Sequence, residues 1–533
     1  MPNRQTDILY QLIHTLEKAE KRHFKLYINR NAAHPELKIV KLFDALAKLP
    51  YYDEKILLKK LKDTEKPQLH NLKTHLYKEI MASLRLLKSA DSIDLQLNEQ
   101  FDYAHILYKK GLFAQSLRMV ERAKEIARSH EKLYHLNQLL ALEKRIETLH
   151  ITRSMQEKAD QLATEALQIS NRTNHLVVLS NMALQLYSWY VKHGHARNEA
   201  DEKDIRAFFN NSLPQDAHLL TGFYENLYLY QSYSTYAFIR QDFLQYYRYT
   251  QKWVNLFTDN PLMVRVETGH YIKGLHNLLN AHFDLRNHQQ FAVVLQRFED
   301  FAKTERVTGH ENFYIQAFIY IHIAKINQHF MQGTFAEGLY LVPYIEEKLM
   351  EYELIIDRHR ILVFNYKIAS LYFGSGDYAT CIDYLHRIIN DTADLRYDLQ
   401  CYARLVHLLA HYELGNFDII EHLIKSVYRF MAKMQNFTVV EAAVFAFLRQ
   451  AFKLSRHQMQ TALEQFLGKI KEFEKNRFET RAFAYLDIIS WVESKVYRKP
   501  VSEIIHEKYL QYRQRRYAEL GIGNEEFRMR NEE

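Results

Sequence analysis

Residues 365–389 read NYKIASLYFGSGDYATCIDYLHRII, and this stretch decides the fold. Gly376 lies in its middle, with Phe373 three positions before it and Tyr378 two positions after it. Glycine is favoured at such a point because a helix often ends through a left-handed backbone conformation that other residues adopt only at a cost. Apolar residues flank the glycine at helical spacing on both sides, so the stretch predicts two helices joined by a tight turn.

The same turn signature recurs along the chain. Only 14 glycines are present in 533 residues, so four of them in one local pattern indicate a repeated unit. The last three of these glycines are separated by 43 and 39 residues, and weaker turn candidates are Gly194 and Asn287. The signature of aromatic, turn residue and aromatic is found at Tyr108, Gly111 and Phe113; at Phe330, Gly333 and Phe335; at Tyr412, Gly415 and Phe417; and, with glutamine in the turn, at Phe238, Gln241 and Phe243.

A repeated helix pair implies a particular architecture. One pair cannot bury its apolar face alone, so neighbouring pairs must stack on one another. The sequence therefore predicts an all-α fold, a right-handed α-solenoid. The composition is that of a folded soluble protein, with 47% hydrophobic and 25% charged residues.

The repeated unit resembles the tetratricopeptide repeat, or TPR. In the opening stretch the small residues of the family's two helices correspond to Ala369 and Cys381, its aromatic to Tyr372 and its turn to Gly376. This chain steps by about 40 residues where the family repeats every 34, and the closing proline of the family is missing. The resemblance covers roughly residues 95–475 and implies a TPR-like array of longer helices.

Such an array displays a concave groove lined by the first helix of each pair, where a partner peptide or helix lies. By the resemblance, the groove includes the aromatics that lie three residues before each turn. A tyrosine-rich stretch at 223–253 adds two arginines, although its aromatics at helical spacing equally indicate packing between helices. The predicted groove residues are Tyr108, Phe238, Arg240, Arg248, Phe330, Phe373 and Tyr412.

The positive charge is concentrated at the start of the chain. Residues 1–90 hold 18 Lys and Arg against 10 Asp and Glu, whereas the whole chain has a net charge of only +7. The segment lacks the turn signature, so we predict a separate basic helical module at 1–90, a TPR-like solenoid at 91–475, and capping helices with a polar tail at 476–533. Within the module, helices are expected at 7–30, 37–48, 53–62 and 68–88.

Two interpretations of the basic module compete. Cationic side chains share one face of its fourth helix, which could enter the major groove of DNA while they contact phosphates. The arrangement loosely resembles bacterial activators that join a winged helix-turn-helix to a TPR-like domain, but no β-hairpin wing follows Leu87. The other interpretation is a solvated helical cap that seals the end of the solenoid. The face in question comprises Lys66, His70, Lys78, Arg85 and Lys88.

Enzymatic chemistry finds little support in the sequence. A Gly-rich phosphate loop, a nucleophile elbow and a zinc-protease helix are all missing, so we predict a non-enzymatic protein with no catalytic residues and no cofactor. His407 and His411 lie one helical turn apart with Glu413 nearby, but no third ligand is evident. Their positions in a packing helix favour a structural role, and we predict no metal site.

The function predicted from these features is a protein-interaction scaffold or adaptor that binds a partner peptide or helix. The alternative is a DNA-binding transcription regulator with a TPR-like sensor domain. Two cysteines, no apolar signal core and no membrane-length apolar stretch predict a cytoplasmic protein that does not bind membranes. The identity of the partner and the oligomeric state are left open.

Overall fold

Every regular element in the described residues of the computed structural model is a helix. No strand is present in these residues, so the predicted all-α fold is confirmed. The structure describes residues 7–30, 36–61, 66–88, 92–150, 156–353, 355–391, 396–434, 438–451, 454–474, 476, 478–479, 483 and 485–519.

The chain divides into two compact units, Met1–Thr173 and Asn174–Glu533. In each unit most helices pack against their neighbours in sequence, as they do in a helical repeat protein. The domain boundaries predicted at residues 90 and 475 are a separate question and stay predictions.

The first unit contains α1 to α8 and the beginning of α9. The single helix predicted for residues 7–30 is wrong, because Leu16 and Glu17 interrupt it. Leu16 adopts an extended backbone conformation, which places its side chain in the same core as Ile13. The helices are α1 Ile8–Thr15, α2 Lys18–Arg30, α3 Glu36–Ala47, α4 Glu54–Lys60, α5 Lys66–Lys88, α6 Ile93–Lys109, α7 Phe113–Ser129, α8 Leu133–His150 and α9 Gln156–His193.

The second unit continues with helices that pack against one another along the chain. Helix α14 packs against α12 and α17, and α17 packs against α20, so these elements form one continuous core. The helices are α10 Glu199–Ser212, α11 Phe223–Ile239, α12 Phe243–Asp259, α13 Pro261–Val266, α14 Thr268–Asp284, α15 His288–Ala302, α16 Glu305–Thr308, α17 Glu311–Gln332, α18 Phe335–Gly338, α19 Val342–Glu351, α20 Arg358–Ser375, α21 Tyr378–Ile389, α22 Tyr397–Glu413, α23 Phe417–Lys433, α24 Val439–Ala451, α25 Arg456–Phe473, α26 Ile488–Tyr497 and α27 Val501–Glu519.

Left-handed residues mark the turns, as the glycine pattern predicts. The degenerate copy is also confirmed, since Gln241 has a φ of 57°. The turn expected at Asn287 lies one residue earlier, at Arg286, and Asn287 instead caps α15 by accepting a hydrogen bond from the Gln290 N–H. The glycines with positive φ, all between 72° and 89°, are Gly111, Gly194, Gly333, Gly376 and Gly415.

Main-chain hydrogen bonds explain why residues other than glycine can hold these turns. The residue after the left-handed position donates its N–H to the carbonyl five residues before it, which closes the helix end. This bond joins Thr334 to His329 at 3.1 Å after a glycine, and Lys132 to Ala127 at 2.8 Å after Glu131. A turn of this kind therefore forms even where the sequence carries no glycine.

The core of the second unit contains both cysteines of the chain. Cys381 and Cys401 are buried and form no disulfide. Burial raises the pKa of the Cys381 thiol well above its ordinary value, so this group stays protonated and unreactive. Trp253 and Trp491 are the largest side chains in this core, and both are fully buried.

Candidate binding site

A cavity of about 610 Å³ lies inside the second unit, and we call it the inner cavity. Residues of α9, α11, α12, α14, α17, α20 and α22 line it, so its wall consists mostly of the first helices of successive pairs, together with α12, the second helix of its pair. Its wall combines aromatic rings, amide side chains and charged groups. The polar wall residues are Gln231, Ser234, Thr235, Lys273, His276, Asn277, Asn280, Asp284, Asn327, Asp357, His359, Arg360, Lys367 and Arg396.

Two lysines of the inner cavity have no carboxylate within 4 Å among the described residues. The Lys273 ammonium lies over the ring of Tyr187, 4.8 Å from its centre. The Lys367 ammonium donates a hydrogen bond of 2.7 Å to Asn327 Oδ1. Burial lowers the pKa of both amines, that of Lys367 to about 8, because neither charge is fully hydrated or paired. The cavity wall thus carries two cations, neither of which has an ion-pair partner within 4 Å among the described residues.

His276 lies where the cations of the cavity converge. Its ring stacks on Tyr320 with centroids 4.0 Å apart, and its Nε2 lies 3.1 Å from the Asn280 amide nitrogen. Burial, the largest cause, and the charges of Lys273, Arg360 and Lys367 together lower its pKa to about 3. The imidazole is therefore neutral at pH 7, and the surrounding potential is positive.

Two acids at the cavity are in different states: Asp284 belongs to its wall, whereas Asp398 lies behind the wall residue Arg396, with which it pairs. Asp398 pairs with Arg396, with 2.8 Å between Oδ2 and the guanidinium, and also accepts a hydrogen bond from Tyr485. Burial alone raises the pKa of Asp398, but Arg396 and Tyr485 outweigh it and hold that pKa well below its usual range. Burial raises the pKa of Asp284 to about 7, and its Oδ2 atom is buried without a hydrogen-bond partner. Asp284 is thus partly protonated near neutral pH.

A smaller apolar pocket of about 220 Å³ adjoins the inner cavity. The two spaces share the walls formed by Phe283, Asp284 and Phe330. The far side of the pocket consists of core residues, including Phe335 and Trp491. Polar and apolar recognition surfaces therefore lie side by side.

The structure places the predicted groove aromatics of the second unit in different surroundings. Phe238 and Phe330 line the inner cavity, whereas Phe373 is only 2% exposed and faces the apolar pocket. Tyr412 packs near Trp491, with ring centroids 6.1 Å apart. Tyr108, in the first unit, packs against Phe113 and His150.

The two predicted groove arginines lie outside the lining of the inner cavity. Arg240 forms an ion pair of 2.9 Å with Glu202, while Arg248 is exposed. Much of the tyrosine-rich stretch packs internally: the rings of Tyr233 and Tyr249 stack with centroids 4.2 Å apart, and Tyr246 is buried. A binding role for the arginines stays a prediction.

Phe373→Leu should lower the free energy of unfolding by about 1.5 kcal/mol, because the smaller side chain leaves part of a closed core site empty. Phe330→Leu should cost clearly less, since its ring borders open cavity space. Urea unfolding followed by circular dichroism compares the two variants. Equal losses would contradict the assignment of Phe373 to the core and Phe330 to the cavity wall.

The basic face of the first unit is partly engaged with acids. Lys66 pairs with Glu54 at 3.1 Å and Arg85 with Asp102 at 2.9 Å. The half-buried Lys88 pairs with Glu20, while His70 and Lys78 are exposed. The described residues from 92 to 150 contain helices and no strand, so they supply no wing. DNA binding by this face stays a prediction.

A third histidine, His386, lies beside the histidine pair of α22 in the structure. His407 Nε2 lies 3.0 Å from His386 Nε2, and its ring centroid lies 4.6 Å from that of His411. Glu413 turns away to accept a hydrogen bond of 2.6 Å from the Trp491 indole. Among the described residues, no group of three or more side chains is arranged to hold a metal ion.

Comparison with known proteins adds no identification. Neither a protein-family model nor a curated protein sequence matches the chain. In the part of the chain that the structure describes, no helix is both long and apolar enough to cross a membrane.

The cavity cations were missed in the sequence, although a signal was present. Lys367 interrupts the otherwise apolar and aromatic run of α20, and Lys273 occupies a comparable position in α14. A lysine within a stretch that packs into a core indicates an internal polar space. The turn signature does not include these positions, because it consists only of the turn residues and the aromatics beside them.

Proposed function

We propose that this chain is a non-enzymatic scaffold or adaptor that binds an acidic segment of a partner protein in the inner cavity. One observation carries the proposal: Lys273 and Lys367 face the cavity without a carboxylate within 4 Å among the described residues. The resemblance of the repeats to TPR units, which bind partner segments in a concave groove, supports it.

Charge compensation is the physical reason for an acidic partner. A buried charge without a partner is costly, and an anionic group placed between the two ammonium groups would remove that cost. Binding of the anion would also raise the lowered pKa values of both lysines, because an opposite charge stabilises the protonated amine. Asp284 provides only part of this compensation: its charge raises the pKa of Lys367, but its own carboxyl is partly protonated near pH 7.

The remaining wall residues suit a peptide. Its amide side chains, among them Gln231, Asn277 and Asn327, can exchange hydrogen bonds with the main chain of a peptide. A cavity of about 610 Å³ lies within the range of typical ligand sites, and it accommodates a short segment rather than a folded domain. We place this activity in the cytoplasm, where a protein whose two cysteines form no disulfide stays reduced.

Lys273→Met and Lys367→Met should each weaken binding of an acidic peptide between about tenfold and about a hundredfold, the effect of losing one charged hydrogen bond. The probes are fluorescent, N-acetylated and C-amidated octapeptide pools with adjacent Glu-Glu, Gln-Gln or Lys-Lys at fixed central positions. Anisotropy titrations of the full chain should rank the Glu-Glu pool first.

The matched control is Lys303→Met, because Lys303 lies on the exposed surface of the same unit and its side chain is 72% exposed. This variant should bind like the unaltered chain. Equal binding of the three pools, or equal effects of all three substitutions, would refute an acidic partner. Thermal unfolding of each variant separates lost binding from lost folding.

A further inference from the structure

Lys367 occupies an environment unlike that of an ordinary surface lysine. Its Nζ atom lies between two phenyl rings, 5.5 Å from the centre of Phe283 and 5.1 Å from that of Phe330. Its one hydrogen bond among the described residues goes to the neutral Asn327 amide. The rings and the amide oxygen are favourable partners for an ammonium, so it is enclosure in the inner cavity, with no carboxylate within 4 Å among the described residues, that disfavours its charge.

Such a setting makes an amine nucleophilic. Lysines are activated as nucleophiles when they are desolvated in an apolar site or placed near other cations. With a pKa of about 8, the unprotonated share of Lys367 at pH 7 is roughly 300-fold that of a lysine at the ordinary value. The free electron pair needed for attack on a carbonyl carbon is thus available near neutral pH.

Two kinds of group in the cavity wall, a pair of cations and one acid, complete a reactive arrangement. Lys273 and Arg360, which act on His276 together with Lys367, offer positive charge to an anionic substituent. Asp284, whose charge Lys367 also senses, holds a proton for part of the time near pH 7. A protonated carboxyl can assist departure of water from an addition product.

We propose that Lys367 Nζ captures aldehydes that carry an anionic group, forming an imine in the inner cavity. The amine nitrogen forms a bond to the carbonyl carbon, and the oxygen leaves as water after it receives protons, so that lysine and aldehyde yield imine and one water. No oxidation or reduction takes place in this step. The activity goes beyond peptide binding and does not depend on it.

The test is covalent trapping on the full chain. Three aldehydes that share one ring are compared at pH 7: 4-formylphenyl phosphate, 4-carboxybenzaldehyde and benzaldehyde. Sodium cyanoborohydride supplies hydride that converts each imine into a stable secondary amine, and peptide mass spectrometry locates it. We expect Lys367 to be labelled at least tenfold faster than the exposed Lys303 by both anionic aldehydes, with a smaller ratio for benzaldehyde.

Variants probe the two assisting groups. Lys273→Met should reduce the advantage of the anionic aldehydes over benzaldehyde, and Asp284→Asn should slow labelling of Lys367 by all three. Using Lys303 as an internal reference on the same chain removes differences in intrinsic reactivity between the aldehydes. Labelling of Lys367 no faster than that of Lys303, or equally fast with charged and uncharged aldehydes, would overturn the proposal. These outcomes are independent of peptide affinity, so either proposal can fail alone.

Discussion

Acidification from pH 7 to pH 5 should unfold the unit that spans Asn174–Glu533. Six of its histidines are neutral in the folded chain because burial, the largest cause for each, lowers their pKa values to about 3 or about 4. An unfolded histidine takes up its proton near pH 6.5. The residues are His276, His282, His288, His322, His359 and His407.

The direction of the effect follows from the order of protonation. Between pH 6.5 and pH 4 the unfolded chain binds protons that the folded chain refuses, so the free energy of unfolding falls as the pH falls. The contribution of these histidines to the free energy of unfolding is complete above pH 6.5. Allowing for solvent screening, each histidine should lower the free energy of unfolding by about 1 kcal/mol at pH 5. The six together approach the whole free energy of unfolding of a typical domain.

Tryptophan fluorescence measures this transition selectively. All three tryptophans of the chain, Trp189, Trp253 and Trp491, lie in the unit concerned. His276→Gln should move the acid midpoint to lower pH, whereas replacement of the exposed His218 by glutamine should leave it in place. Unchanged fluorescence down to pH 4 would contradict the prediction.

Gly333→Ala should lower the free energy of unfolding by about 4 kcal/mol. Gly333 has a φ of 73°, and a left-handed conformation costs an L-residue roughly 1–2 kcal/mol. A β-carbon there would also lie 2.5 Å from the Ser502 carbonyl oxygen and 2.7 Å from the His506 nitrogen, both in the backbone of α27. Because backbone cannot move aside as a side chain can, α27 must shift, and overpacking of this kind costs roughly a further 1–3 kcal/mol.

Gly376→Ala is the matched control. Its φ of 89° imposes the same conformational cost, but a β-carbon would meet nothing within 4 Å. We expect a loss of about 1 kcal/mol, partly offset by the reduced freedom of the unfolded chain. Urea unfolding compares the two, and hydrogen exchange of α27 amides should increase only in the Gly333 variant. Equal losses would show that contact with α27 contributes nothing.

Local backbone rules account for the part of the fold that was predictable. Turns at Gly333 and Gly376 follow from the sequence because glycine carries a distinct conformational signal. Turns at Glu131 and Arg498 were missed because main-chain hydrogen bonds hold an L-residue in the same conformation there, and no residue type announces it. The break at Leu16 was missed because it depends on the shape of the core.

The inner cavity was predictable only in outline. Stacked helix pairs imply a space lined by their first helices, and the structure places Phe238 and Phe330 at the inner cavity, while their role in binding stays a prediction. The pKa values of Lys367 and Asp284 depend on burial and on charged residues of other helices. The spacing of residues along one helix contains no information on either. Charged residues within otherwise packed helices, rather than aromatics near turns, were the sequence feature that indicated the inner cavity.

The buried state of Cys381 and Cys401 makes the natural chain a convenient background for spectroscopy. Thiol-specific spin labels and fluorophores require an accessible thiolate, which neither side chain offers. A single cysteine introduced at an exposed position such as Lys303 would be the preferred attachment point without any prior removal of native residues. Pairs of such labels across the wall of the inner cavity would then record, in ångströms, how far α14 and α20 separate when a partner segment enters.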